Sequence, residues 1–223
     1  MARLPIEVIE TIIDFLQNDI EALKQCCLAS KSLIARTRSH LFKHVSFWKP
    51  TDLQKWKERF GDLENTPAIF ITHLDIRCEL VAGKDLSAFH KLLPHVKSLT
   101  MIWDRMESQE VFHFICSFPS LEDLDVFGGA YLYGTAGGPL SLPKLTGTIS
   151  FRCYSEDFIR QFLELSGDLR FREIVVNISG VGDSARELVK RCSGTLERIS
   201  IQSSKEAHSK SRPHSPAHNR LRI

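Results

Sequence analysis

The sequence lacks any long run of apolar residues. No stretch approaches the roughly 18 consecutive apolar residues that a membrane-spanning helix needs. The N-terminus also lacks the basic start, apolar centre and small-residue cleavage site of a secretory signal peptide. We therefore expect no membrane partner, and a cytoplasmic or nuclear location or both.

The chain has little net charge. Lys and Arg number 29 against 27 Asp and Glu, which gives +2 at pH 7 with neutral His. This balance argues against nucleic acid as a partner, because nucleic-acid-binding domains carry a concentrated excess of basic residues. The 43% of hydrophobic residues and 25% of charged residues are ordinary for a globular protein.

Cysteine pairs and catalytic motifs are also missing. The six cysteines show no CxxC spacing and no His partners at zinc-finger spacing, so we expect reduced, buried thiols and no metal site. The Gly-rich stretch GGAYLYGTAGG lacks the Lys-Ser/Thr of a phosphate-binding loop. No catalytic constellation stands out, and we expect a protein without enzymatic activity and without a cofactor.

A repeat of 25 residues dominates the middle of the chain. Six segments share an apolar-x-x-apolar-x-apolar pattern, apart from the polar Thr146 that opens the fourth: ITHLDI, VKSLTM, LEDLDV, TGTISF, FREIVV and LERISI. Their central apolar residues are spaced 25 positions apart: Leu74, Leu99, Leu124, Ile149, Ile174 and Ile199. Alternate residues of a strand face opposite ways, so the pattern predicts six strands with one apolar face.

Helix-like segments lie between these strands: DLSAFHKLL, SQEVFHFICSF, SEDFIRQFLEL and SARELVKRC. A strand–helix unit of this length lies within the leucine-rich-repeat range of about 20–29 residues. Residues 67–203 resemble that family, which implies about six units stacked into a short solenoid with a parallel β-sheet. The Gly-rich loop replaces the helix of the fourth unit. An ordinary α/β domain with accidental strand spacing is the alternative.

The N-terminal segment LPIEVIETIIDFL has an unusually wide apolar face. A helix that packs onto one core needs an apolar arc only a little over about 100° wide. On a helical wheel roughly half of this segment is apolar, which predicts a second contact besides the helix's own core. Pro5 suits the first helical position. Asp19 and Ser30 are placed to cap two further short helices.

The first 47 residues resemble an F-box, especially those of the large fungal families. The motif residues occur in the family's order: Leu4, Pro5, Glu7, Ile9, Ile12, Leu16, Leu23, Cys27, Ser30, Leu41 and Phe42. Leu33 stands where the family often has Trp. The two resemblances together imply an α/β chain with a three-helix F-box over 1–47, a linker over 48–66 and the repeats over 67–203. A basic tail over 204–223 has almost no apolar content, and we expect it to be disordered.

The F-box resemblance implies a substrate-receptor subunit of a Skp–cullin–F-box ubiquitin ligase. Its partners would be a Skp-type adaptor within a cullin–RING ligase and an unknown protein target. The residues that would bind the adaptor lie on the first helix: Leu4, Pro5, Val8, Ile9, Ile12, Phe15 and Leu16. The alternative is a leucine-rich-repeat scaffold for protein binding, whose N-terminal helices only cap the solenoid.

Outward-facing side chains of the strands predict where a target would bind. Ile102 and Phe127 are apolar neighbours flanked by Arg77 and Arg152, an arrangement typical of a small binding hot spot. Tyr131 and Tyr133 in the Gly-rich loop are a second candidate. For both, packing beneath a neighbouring loop or tail is the alternative.

Two further expectations concern the surface of the repeats. The residues one step after each central position are mostly small or charged, which predicts a solvated face: Asp75, Thr100, Asp125, Ser150, Val175 and Ser200. The basic tail cannot cover the sixth unit, so we expect that unit's apolar edge to be open.

Overall fold

A computed structural model describes residues 4–60, 66–77, 93–133, 140, 142–153, 156–177 and 182–202. Within these ranges the chain is an α/β protein with seven α-helices and one seven-stranded parallel sheet. The helices are α1 Ile6–Phe15, α2 Ile20–Ala29, α3 Ile34–Leu41, α4 Pro50–Phe60, α5 Ser108–Cys116, α6 Glu156–Leu165 and α7 Asp183–Cys192. None of these described helices is long and apolar enough to cross a membrane.

The strands follow one another across the sheet in chain order, and every neighbouring pair is parallel. Two short 3-10 helices, Lys31–Leu33 and Pro67–Phe70, complete the regular elements. The strands are β1 His44–Phe47, β2 His73–Arg77, β3 Ser98–Glu107, β4 Asp123–Tyr133, β5 Thr148–Cys153, β6 Glu173–Asn177 and β7 Arg198–Gln202.

The 25-residue period of the sequence sets the register between neighbouring strands from β2 to β7. The six central residues predicted from sequence stand opposite one another in successive strands: Leu74, Leu99, Leu124, Ile149, Ile174 and Ile199. The backbone repeats in the same way, because the Thr72 carbonyl accepts from the Lys97 N–H and the Lys97 carbonyl from the Glu122 N–H. The six predicted strands are confirmed.

The sheet begins one strand earlier than the period predicts. β1 pairs with β2, and Val45 stands opposite Leu74. Their separation of 29 residues, the same as between the partners Ser46 and Asp75, differs from the period. A search at a spacing of 25 therefore passes over β1.

Residues 48–66 were expected to be a linker, and the structure corrects this expectation. Most of the segment is α4, whose Trp56 is buried in the main core. The Trp56 ring centroid lies 5.9 Å from that of Phe47 in β1 and 4.6 Å from that of Phe60. Trp56 and Phe60 are four residues apart, so they lie on one helix face and fix α4 against the start of the sheet.

The main core lies between the sheet and helices α4–α7, and aromatic rings form its centre. Phe112 of α5 stacks on Phe158 of α6 with ring centroids 5.1 Å apart. Phe151 of β5 meets Phe158 edge-on at 5.8 Å, and Phe162 stacks on Phe171 at 6.3 Å. These contacts join successive strand–helix units through one continuous apolar layer.

A second, smaller core holds the three N-terminal helices together. Ile13 of α1, Leu23 of α2 and Leu41 of α3 are its buried members. Phe42 packs against both cores, and its ring meets Phe60 of α4 edge-on at 5.9 Å. The helical unit is therefore joined to the first strand of the sheet through Phe42.

The Gly-rich loop was expected to begin at residue 128, but β4 continues to Tyr133. The reason is its neighbour: β3 runs to Glu107 and supplies a pairing partner along this length. The pairing shifts register between Trp103 and Arg105. The helix predicted over 85–93, apart from Leu93, and the tail predicted over 204–223 lie outside the described residues.

The unusual start of the fourth repeat follows from its packing. Leu145 is buried in place of the first apolar residue of the pattern, which is buried in four other repeats as Ile71, Val96, Leu121 and Phe171, and Thr146 is exposed. Gly147 follows, and the Asp123 carboxylate beside it accepts the Thr148 N–H at 2.6 Å. A Cβ added to Gly147 would lie 2.1 Å from an Asp123 oxygen, so only glycine fits.

We predict that Gly147→Ala destabilises the protein by about 1–3 kcal/mol, the usual cost of overpacking a tight site. The new methyl group displaces the Asp123 carboxylate and breaks its bond to Thr148. Urea unfolding measures the effect. The control is Gly167→Ala, where the added Cβ meets nothing within 4 Å. Equal midpoints for the two variants would contradict this account.

Candidate protein-interaction site

The three N-terminal helices are defined by local capping. Asp19 Oδ1 accepts the Ala22 N–H at 3.0 Å and caps α2, as its position predicts. Ser30 Oγ accepts the Ser32 N–H at 3.3 Å and starts the 3-10 turn that leads into α3. Pro5, expected at the first helical position, stands one residue earlier, as the N-cap of α1.

Helix α1 presents two apolar faces, and only one of them is covered. Ile13 is buried in the smaller core. On the other face Val8, Ile12 and Phe15 are 43%, 48% and 82% exposed. We call the uncovered face the α1 strip, and it consists of Leu4, Pro5, Val8, Ile12 and Phe15.

Two of the residues that the F-box resemblance assigns to adaptor binding lie elsewhere. Ile9 and Leu16 are half-buried and pack against the smaller core. Ile9 and Leu16 face the smaller core because α3, which carries Leu41, packs against this side of α1. We therefore assign Ile9 and Leu16 to packing within the helical unit. Ile6 is 43% exposed as well, but at about 100° per residue it lies on the far side of the covered face from Val8 and Phe15, so it is not part of the strip.

Asp14 holds α1 in place on α3. Arg36 donates to both Asp14 carboxylate oxygens, with Nε 2.6 Å from Oδ1, and His40 Nε2 lies 2.8 Å from Oδ1. The hydrogen bonds from Arg36 and then His40 lower the pKa of Asp14 to about 2, against a smaller opposing effect of desolvation. The ionised Asp14 carboxylate thus fixes the orientation of α1 on α3, and with it the direction in which the α1 strip faces.

The Asp14 contacts predict a specific pH dependence. The pKa of Asp14 in the folded protein lies below its unfolded value of about 3.9. The contribution of the Asp14 contacts to stability is therefore complete when the pH is above the unfolded pKa, and it is lost as the pH falls towards 2. We expect Asp14→Asn to be less stable than the wild type at pH 6, with the difference disappearing between pH 4 and pH 2. Urea unfolding across this range measures it, with Glu164→Gln on the exposed side of α6 as control. A difference independent of pH would contradict the prediction.

The sheet brings the four residues of the first candidate target site together. Arg77, Ile102, Phe127 and Arg152 are successive partners across β2 to β5. Phe127 is 39% exposed and Ile102 is half-buried, while both arginines are exposed. Tyr131 and Tyr133, the second candidate, stand opposite Arg105 and Glu107 in the β3–β4 pairing, and their side chains lie outside the described part.

The adjacent row of residues is less solvated than the sequence predicts, and this corrects the expectation for Asp75 and Ser150, which are buried. Ser46 Oγ donates to Asp75 Oδ2 at 3.2 Å, and His44 Nε2 lies 3.0 Å from the same oxygen. Both partners come from β1. Ser150 Oγ accepts from Arg152 Nε at 3.3 Å.

Asp125 lies half-buried in the same row. Burial raises the pKa of this carboxyl, and Arg152, whose Nη2 lies 3.3 Å from Asp125 Oδ2, acts in the opposite direction. Arg152 is thus held over the sheet by Asp125 and Ser150. The face next to Phe127 is therefore ordered and polar rather than freely solvated.

The described part of the chain includes four of the cysteines and most of the residues that could bind a metal ion. Cys26, Cys27, Cys116 and Cys192 are free thiols, but only Cys192 is buried; the other three are half-buried, which corrects the expectation of buried thiols for them. Burial raises the pKa of Cys116 to about 11, which keeps this thiol protonated at neutral pH. Among the described residues no group of three or more His, Cys, Asp or Glu is arranged to hold a metal ion.

Comparison of the chain with protein-family models, with curated proteins and with solved structures finds no significant match. The functional assignment therefore depends on the surfaces described above and on the sequence motifs.

Proposed function

We propose that this chain is a substrate-receptor subunit of a Skp–cullin–F-box ubiquitin ligase. In this role the unit of α1–α3 binds a Skp-type adaptor, and the repeat-bearing sheet, a degenerate leucine-rich-repeat solenoid, binds a protein target. The chain transfers nothing itself. It positions the target near the conjugating enzyme that the ligase recruits.

The observation that carries the proposal is the uncovered α1 strip. A helix that only covered the end of the sheet would need a single apolar face. The contact between the helical unit and the sheet is already made by Phe42, which follows α3 and packs against both cores. Exposed large apolar residues that form one continuous face mark protein–protein contacts. The F-box resemblance assigns five residues of this strip to the adaptor: Leu4, Pro5, Val8, Ile12 and Phe15.

The energetics of the strip are sufficient for a specific complex. Burial of one large aliphatic or aromatic side chain contributes about 1.5–3 kcal/mol when complete. The strip offers four such side chains that are already more than two-fifths exposed: Leu4, Val8, Ile12 and Phe15. Because association costs at least about 4 kcal/mol, several anchors must act together, and a single substitution can then reduce the affinity strongly.

The proposed target side is the row centred on Ile102 and Phe127. Phe127 is a large, exposed aromatic side chain beside Ile102 on a sheet face that also carries charged residues, and aromatic residues beside arginines dominate binding hot spots. Arg77 and Arg152 stand opposite Ile102 and Phe127 on the two flanking strands.

Binding of a purified Skp-type adaptor to the full chain tests the proposal. We expect a one-to-one complex by isothermal titration calorimetry, with amide hydrogen exchange slowed in α1 on binding. The heat-capacity change should be negative, since apolar surface is buried. Absence of binding, or binding that leaves α1 exchange unchanged, would exclude this assignment.

A further inference from the structure

The last strand of the sheet leaves apolar side chains uncovered on the helix side. Ile199 and Ile201 of β7 are 46% and 61% exposed. Ile174 and Val176, which occupy the same positions in β6, are buried. Val45 of β1 is fully buried as well, so this exposure is a property of the β7 end of the sheet and not of its β1 end.

The outer backbone edge of β7, in the plane of the sheet, is also without a strand partner among the described residues. β7 is the last strand in the order, with β6 as its one hydrogen-bonded neighbour among the described strands. An apolar strand with a free edge is a template for the addition of another strand. One added strand would pair the free backbone groups and at the same time cover Ile199 and Ile201.

The sequence of β7, RISIQ, is self-complementary for antiparallel pairing about Ser200. In that register Ile199 of one copy stands opposite Ile201 of the other, and Arg198 stands opposite Gln202. Apolar residues then meet apolar residues on the helix side, and no like charges stand directly opposite. A register centred on Ile199 would instead place Glu197 against Ile201.

We propose that β7 is a self-association edge, which pairs antiparallel about Ser200 with β7 of a second copy of this chain. The segment 204–223 has few apolar residues with which to cover Ile199 and Ile201. The contact is only five residues long on each side, so the dimer is weak and reversible. This inference does not depend on adaptor binding.

The oligomeric state of the full chain tests the proposal. Light scattering after size exclusion, over a series of concentrations, should give a mass that rises from 25.4 kDa towards twice that value. Ile201→Lys should remain a single chain throughout. The matched control is Ile69→Lys, since Ile69 is 54% exposed but lies outside the β7 edge. A single-chain mass for the wild type, or equal behaviour of the two variants, would overturn the proposal.

The register has its own test. Opposing residues of an antiparallel pair have Cβ atoms about 4.5–5.5 Å apart, which is close enough for oxidation to join two Ser200→Cys chains with little backbone movement. We expect a disulfide-linked dimer with the bond mapped to position 200 on both chains. Thr100→Cys, at the same position of the internal strand β3, should give only the background of the native cysteines. Linkage no stronger for Ser200→Cys than for Thr100→Cys would overturn the register and with it the proposed edge contact.

Discussion

Ile12→Asp is expected to abolish binding to the Skp-type adaptor while the protein stays folded. Ile12 is nearly half exposed at the centre of the α1 strip, so an aspartate there remains hydrated in the free protein. In the complex the same carboxylate is forced into an apolar contact without a partner, which costs several kcal/mol. The affinity should fall by at least about 100-fold, since each 1.4 kcal/mol is a factor of ten. Isothermal titration calorimetry measures the loss, and thermal unfolding shows whether the fold survives.

Two residues of the same segment provide the controls for this variant. Gln17→Asp adds the same charge at an exposed position just beyond α1 and away from the strip, and it should bind the adaptor as the wild type does. Ile13→Asp places the charge in the smaller core, where Ile13 is buried, and should unfold the helical unit. If Ile12→Asp unfolds the chain as Ile13→Asp does, the strip is structural. If it binds as well as Gln17→Asp, the adaptor contact lies elsewhere.

The sequence predicts the repeated strands because their register leaves little freedom. A shift of one residue would turn every inward side chain of a strand to the other face, so the positions from Leu74 to Ile199 recur at a constant interval. The repeat does not predict β1, because paired residues of β1 and β2 are 29 positions apart rather than 25. Because β1 is not predicted, the burial of Asp75 is not predicted either: its partners, the buried Ser46 and the half-buried His44, both belong to β1.

The division of α1 into two faces could be predicted only in part. A helical wheel gives the width of the apolar face, and the width correctly indicates a surplus beyond the needs of one core. It does not show on which flank the next helix packs. That depends on the tertiary contacts of α3, against whose side Ile9 and Leu16 pack while Val8 and Phe15 stay exposed.

The strand extension to Tyr133 has a similar origin in the tertiary structure. Glycine is rare in strands and common in turns, so the sequence FGGAYLYG predicts a loop. β3 lies alongside and continues to Glu107, and its free backbone groups are satisfied by pairing with β4. The pairing of a neighbouring strand thus overrides the local preference of the glycines.

Phe158→Ala is expected to have the largest effect on stability, about 3–5 kcal/mol. Phe158 is fully buried, and its ring contacts three others, from α5, β5 and α6: Phe112, Phe151 and Phe162. Removal of this ring opens a cavity at the point where two strand–helix units meet. A loss of this size is a large part of the stability of an ordinary domain, about 5–15 kcal/mol.

The Phe158 variant also tests whether the repeats unfold together. In stacked repeat units each unit contacts only its neighbours, so damage at one junction can separate the parts on either side. We expect Phe158→Ala, studied by amide hydrogen exchange at increasing urea concentration, to lose protection of the backbone amides in β5 and β6 at a lower urea concentration than in β1 and β2. Arg160→Ala, an exposed position of the same helix, should leave the unfolding midpoint nearly unchanged. Uniform loss of protection from β1 to β7 would mean that the sheet unfolds as one cooperative unit, which would contradict independent junctions.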